Sequence, residues 1–123
     1  MTTWITICDT CKRGDWVADG RATDGETLAR LVEDAAKPDP RVRTRRVSCL
    51  MGCAHGCNVA IQSEGKLAYT LGRFEATEEA ADAIAAYASL HAQSDTGQVP
   101  YREWPAGVKG HFVTRHPPLP VPA

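Results

Sequence analysis

The order of apolar and polar positions along the chain lays out most of its elements. Thr3-Trp4-Ile5-Thr6-Ile7-Cys8 alternates threonine with large apolar residues, the period of a strand. Cys8-Asp9-Thr10-Cys11 follows at once and opens a polar stretch. Thr23-Asp24-Gly25-Glu26 then has the form of a capping box. Behind it Leu28, Leu31, Val32 and Ala35 recur at helical spacing, and Pro38 closes the helix. Arg41-Val42-Arg43-Thr44-Arg45 alternates charge with β-formers and predicts a short strand. Its three arginines share a face, which suits the edge of a sheet. Val59-Ala60-Ile61 and Leu67-Ala68-Tyr69 flank the turn Ser63-Glu64-Gly65-Lys66 and predict a hairpin. A second helix is expected from about Thr77 to His91, capped by Thr77 with Glu78 and Glu79 at its positive end. Ala80, Ile84, Tyr87 and Ala88 form its inward face.

The order β-α-β-β-β-α predicts an α/β fold with a four-stranded mixed sheet. The first two strands would be parallel, and the last two an antiparallel hairpin. From Ser94 the character changes, because six of the eight prolines lie between Pro100 and Pro122 and no periodic pattern survives. The expectation is a domain over residues 1–93 and a proline-rich arm over 94–123, extended over the domain or disordered around Pro117-Pro118-Leu119-Pro120. Hydrophobic residues make up 43% and charged residues 24%, so a soluble globule is expected. No stretch approaches the roughly 20 apolar residues of a membrane span, and Met1-Thr2-Thr3-Trp4 shows no secretory signal. The net charge of −1 gives no pull toward nucleic acid. A cytoplasmic protein without membrane or nucleic-acid partners is the expectation.

Sulfur changes the picture. Five cysteines in such a chain argue for metal binding or redox chemistry over a disulfide framework. Cys8 and Cys11 follow the first strand; Cys49, Cys53 and Cys57 precede the third. If those strands are neighbours, the two loops meet at one end of the sheet, and converging thiolates suit zinc or an iron–sulfur cluster. A 2Fe–2S cluster needs four thiolates. Zinc accepts them too, but zinc ribbons place their CxxC pairs about 15–20 residues apart, whereas residues 12–48 lie between Cys11 and Cys49. Dithiol exchange, the third reading, wants its CxxC at a helix N-terminus, and here the helix cap lies well downstream. A fourth reading leaves the thiols purely structural. Gly52 and Gly56 would let backbone N–H groups turn toward sulfur, or would simply turn the chain into the hairpin. His55 is a candidate ligand or a polar loop residue. Lys12 and Arg13 would offset cluster charge or stand in solvent. Arg41, Arg43, Arg45 and Arg46 would steer an acidic partner or protect the edge. Trp4 and Trp16 are candidate shields for the site, and core is the simpler reading of Trp4.

Ile7-Cys8-Asp9-Thr10-Cys11 and Cys49-Leu50-Met51-Gly52-Cys53-Ala54-His55-Gly56-Cys57 form a specific pattern. With Tyr101-Arg102-Glu103-Trp104-Pro105 and Arg115-His116-Pro117-Pro118 in the tail, it resembles the domain-of-unknown-function family 1636, a bacterial family predicted to bind metal. Over roughly residues 3–92 the chain also resembles the thioredoxin-fold 2Fe–2S ferredoxins, in its cysteines and its Glu-Gly-Lys hairpin. The resemblance implies a thioredoxin-like fold and a small electron carrier that performs no bond chemistry. It implies a redox partner protein and a homodimer, and the family's frequent place beside cobalamin-biosynthesis genes implies that pathway. Carried over, the ligands are Cys8, Cys11, Cys49 and Cys53. Two departures stand out. Cys11 follows Cys8 more closely than is usual, and Cys57 stands where the ferredoxins have proline, the cis-proline position of thioredoxins. That leaves Cys57 as an alternative ligand displacing Cys11, a spare thiol, or part of a different site.

Overall fold

The computed structural model describes residues 2–12, 22–51 and 56–120. In chain order the elements are β1 (Thr3–Cys8), α1 (Asp24–Ala36), β2 (Val42–Val47), β3 (Val59–Gln62), β4 (Ala68–Leu71), α2 (Glu78–Gln93) and β5 (Phe112–His116). Short 3-10 turns at Tyr101–Glu103 and Ala106–Val108 connect α2 to β5. The strands form one sheet in the order β2-β1-β3-β4-β5. β1 and β2 run parallel, from Thr3 opposite Val42 to Cys8 opposite Val47. The other pairs are antiparallel, with Ile7 of β1 opposite Val59 of β3.

The expected parallel pair and hairpin are both present, and β2 is an edge strand. The four-stranded expectation gains a fifth strand: residues 112–116, expected in a proline-rich arm, pair with β4. Phe112 carries this segment into the core, its ring 5.5 Å from Tyr69, 5.3 Å from Tyr87 and 4.5 Å from Trp104.

Both helices pack on the face bearing Ile5, Ile7, Val59 and Ile61, all fully buried. Thr23 caps α1 as its sequence predicts, its hydroxyl accepting the Glu26 N–H at 3.1 Å. The buried stripe of α1 is Leu28, Ala29, Val32 and Ala36, with Leu31 and Ala35 half-buried, so the helix is rotated slightly from the expected face. In α2, Ile84, Tyr87 and Ala88 face the core as expected. Strand alternation sends Trp4 to the other face of the sheet, where no helix covers it, and Trp4 is 36% exposed instead of core.

Candidate metal centre

Cys8 ends β1, and the pairing of that strand holds it in place. Its N–H donates to the Asn58 carbonyl at 3.2 Å, and the next N–H, of Asp9, donates to Val47 at 3.0 Å. Thr10 turns the chain and donates its hydroxyl to the Ser48 carbonyl. Gly25 N–H donates to the Cys11 carbonyl at 2.9 Å, which seats the start of α1 directly on the cysteine turn. On the other side, Cys57 leads into β3 through a cis Gly56–Cys57 peptide. Its N–H and carbonyl bond the Phe74 carbonyl and N–H at 3.4 and 3.2 Å. The Phe74 ring stacks on His111 with centroids 4.3 Å apart.

Cys8, Cys11 and Cys57 are all buried at this end of the sheet, while Cys49 is exposed on the adjoining loop. Cys11 Sγ donates to Asn58 Oδ1 at 3.0 Å. Cys49 Sγ accepts the Met51 N–H at 3.3 Å. The thiols divide electrostatically. Burial opposes ionisation of Cys8, but hydrogen bonds from the Cys11 side chain, the Leu50 N–H and Thr10 outweigh it and lower its pKa. Burial pushes Cys11 up to about 12, assisted by its hydrogen bond with Cys8 and by the charges of Cys8 and Cys57. A stabilised thiolate is the form in which sulfur binds metal.

The structure thus brings Cys8, Cys11 and Cys57 together, with Cys49 on the next loop. Cys53, His55, Gly52, Arg13 and Trp16 lie outside the described residues. Among the described residues, no three His, Cys, Asp or Glu side chains form a metal-binding group. The donor set still fits a soft metal centre, since Cys8, Cys11 and Cys57 meet at one end of the sheet and an adjacent backbone N–H, that of Leu50, favours the thiolate. Asn58, Gly25 and Phe74 support the site without a motif to mark them. Adjacency to Cys57 is the one signal that points to Asn58.

A family model described as "Protein of unknown function (DUF1636)" matches residues 5–118. The chain belongs to the DUF1636 family. No protein with a curated description matches it. Among solved structures, this DUF1636 member is similar to a thioredoxin-like [2Fe–2S] ferredoxin from Aquifex aeolicus. The TM-score is 0.56 at 12% sequence identity, over 95% of this chain and 94% of the other. The likeness establishes the thioredoxin-like α/β fold. No helix among the described residues is long and apolar enough to cross a membrane.

Proposed function

We propose that this protein is a small electron carrier holding one 2Fe–2S cluster where the Cys8–Cys11 turn meets the loop from Cys49 to Cys57. The observation that carries the reading is the gathering of Cys8, Cys11 and Cys57 at one sheet end, with Cys8 held toward thiolate. The proposed ligands are Cys8, Cys11, Cys49 and Cys53, with Cys57 as the alternative to Cys11. Such a cluster supplies a reversible one-electron change when bound. The chain's own residues do the rest. The Leu50 and Thr10 hydrogen bonds stabilise negative sulfur, Asn58 orients Cys11, and the backbone of Phe74, whose ring stacks on His111, holds the backbone of Cys57.

The same donors suit zinc, which is the principal alternative. The unequal thiols of Cys8 and Cys11 also suit a dithiol pair, but at 2% and 5% exposure neither sulfur is open to an incoming disulfide. We place the carrier in the cytoplasm with a protein redox partner, and the family's gene neighbourhood makes cobalamin biosynthesis the first pathway in which to seek the acceptor.

Anaerobically purified protein tests the proposal. We expect broad visible absorption that bleaches with dithionite, with iron and acid-labile sulfide at about two each per chain. Single Cys→Ser changes at Cys8, Cys49 and Cys53 should abolish the colour. Of Cys11→Ser and Cys57→Ser, only the true ligand's replacement should do so. A colourless protein with one zinc and no sulfide overturns the reading.

A further inference from the structure

Four arginines lie on or beside the edge strand β2, and the structure separates their roles. Arg41 is paired with Asp39 at 3.0 Å and Arg46 with Glu33 at 2.8 Å, so two of them tie structure together. Among the described residues, Arg43 and Arg45 are in no ion pair. Arg45 Nε donates to Thr6 Oγ1 at 2.6 Å and its Nη2 to Gln62 Oε1 at 3.3 Å, both neutral oxygens, so its charge stays uncompensated. Alternation puts Arg43 and Arg45 on the uncovered sheet face, beside Trp4 and Thr6 in register.

That face is shaped for contact. Its middle is small, with Thr6 opposite Ala60 and Ala60 opposite Thr70. Toward one end it opens into a groove of about 880 Å³, bounded by Trp4, Arg45 and Gln62 on one side and His116 to Pro120 on the other. Tryptophan and arginine are the residue types that anchor protein interfaces. Edge protection, which the arginines of β2 also serve, does not need the exposed indole. One carboxylate, Glu64, lines the groove at the hairpin end, while the Lys66 ammonium is spent on the His91 and Ala92 carbonyls at 3.0 Å.

We propose that this face, from Arg43 and Arg45 across Trp4 to His116, docks an acidic redox partner protein. The proposal rests on the electron-carrier reading above and gives its partner a chemistry. In position, Arg43 stands opposite Trp4 and Arg45 opposite Thr6, four and two residues before the Cys8–Val47 pair, so the face runs from the cysteine end of the sheet toward the hairpin end that holds the groove. Arg45 is therefore only two residues, roughly 7 Å, along the strand from the cysteine end of the sheet. A partner with carboxylates on the two guanidinium groups would be steered there and held within about 13 Å of the cysteine end along the strands.

The test titrates isotope-labelled protein, as isolated, with a short polyglutamate peptide and follows amide and indole resonances. We expect shifts confined to Trp4, Arg43, Arg45, Gln62 and their neighbours, weakening as salt rises from about 20 to 200 mM. The double change R43E/R45E should weaken binding at least about tenfold and leave metal content unchanged. Arg45 also holds Thr6, so R43E alone is the companion variant and should weaken binding in the same direction. Shifts elsewhere, or binding indifferent to both variants, overturn the proposal. So does arginine-dependent binding to phosphatidylglycerol vesicles without polyglutamate binding, which would make the face a membrane surface. Iron-free protein that binds polyglutamate here would support the docking surface while overturning the carrier reading.

Discussion

A Cβ added at Gly25 would fall on the Cys8 carbonyl oxygen and come within 2.9 Å of the Asp9 carbonyl carbon. Both neighbours are backbone, held by the pairing of β1, so neither can swing aside. Helix propensity would favour alanine there by up to about 1 kcal/mol, but overpacking against fixed backbone costs about 1–3 kcal/mol, and the clash wins. Gly25→Ala should therefore destabilise the protein in denaturant titration and lower its metal content, because the cysteine turn must shift. Gly65→Ala is the contrast. That residue sits at φ 75° in open space, so alanine costs backbone strain of about 1 kcal/mol and leaves the metal site alone. Equal metal retention in the two variants would refute the coupling of α1 to the cysteine turn. The meeting of Cys8, Cys11 and Cys57 at one sheet end was legible in the sequence, because strand order suffices to bring their two loops together. The parts played by Gly25, Asn58 and Phe74 were not, since each depends on a through-space neighbour far along the chain.

The C-terminal end of α2 shows how an element is anchored by groups whose charge depends on pH. His91 is fully buried. Its Nε2 faces the Leu67 carbonyl at 2.7 Å, and since a carbonyl only accepts, Nε2 carries the hydrogen. Nδ1 then accepts from the Thr3 hydroxyl at 2.9 Å, the pattern of a neutral ring. Burial lowers the His91 pKa, with the nearby Lys66 ammonium acting in the same direction against the Leu67 hydrogen bond. The ring of Tyr69 packs edge-on against it with centroids 6.1 Å apart. Below about pH 6.5 the unfolded chain takes a proton that the folded chain refuses, so stability is full above that pH and falls as the solution is acidified. Glu33 and Asp39, held low by Arg46 and Arg41, lose their contributions only in the carboxylate range below. Denaturation measured from about pH 7 to 5 should show this loss. His91→Gln, which keeps a donor and an acceptor, should flatten it, and an unchanged slope would assign the proton elsewhere. Local period and capping made both helices legible, down to the Thr23 and Thr77 caps. β5 was not, because an exposed edge strand between glycines and prolines shows no alternation.

At the scale of the whole molecule, residues 94–120 hold the far side of the core together. Val108 is fully buried, Trp104 Nε1 donates to the Val99 carbonyl at 2.8 Å, and Phe112 closes the ring cluster over Tyr69 and Tyr87. β5 also satisfies the outer edge of β4. A chain ending at Gln93 would expose those rings and leave a bare strand edge, an invitation to aggregation. Truncation to residues 1–93 should therefore abolish cooperative unfolding or leave the product insoluble. Phe112→Ala is the gentler probe. It keeps β5 and removes one half-buried ring, and it should cost about 2–4 kcal/mol while the metal content stays that of the parent, because the Phe112 ring packs on Tyr69, Tyr87 and Trp104. A soluble 1–93 fragment that unfolds with the parent's midpoint would make everything after α2 an appendage. Loss of stability in both variants would make this segment part of the domain, with its final prolines forming one wall of the groove beside Trp4.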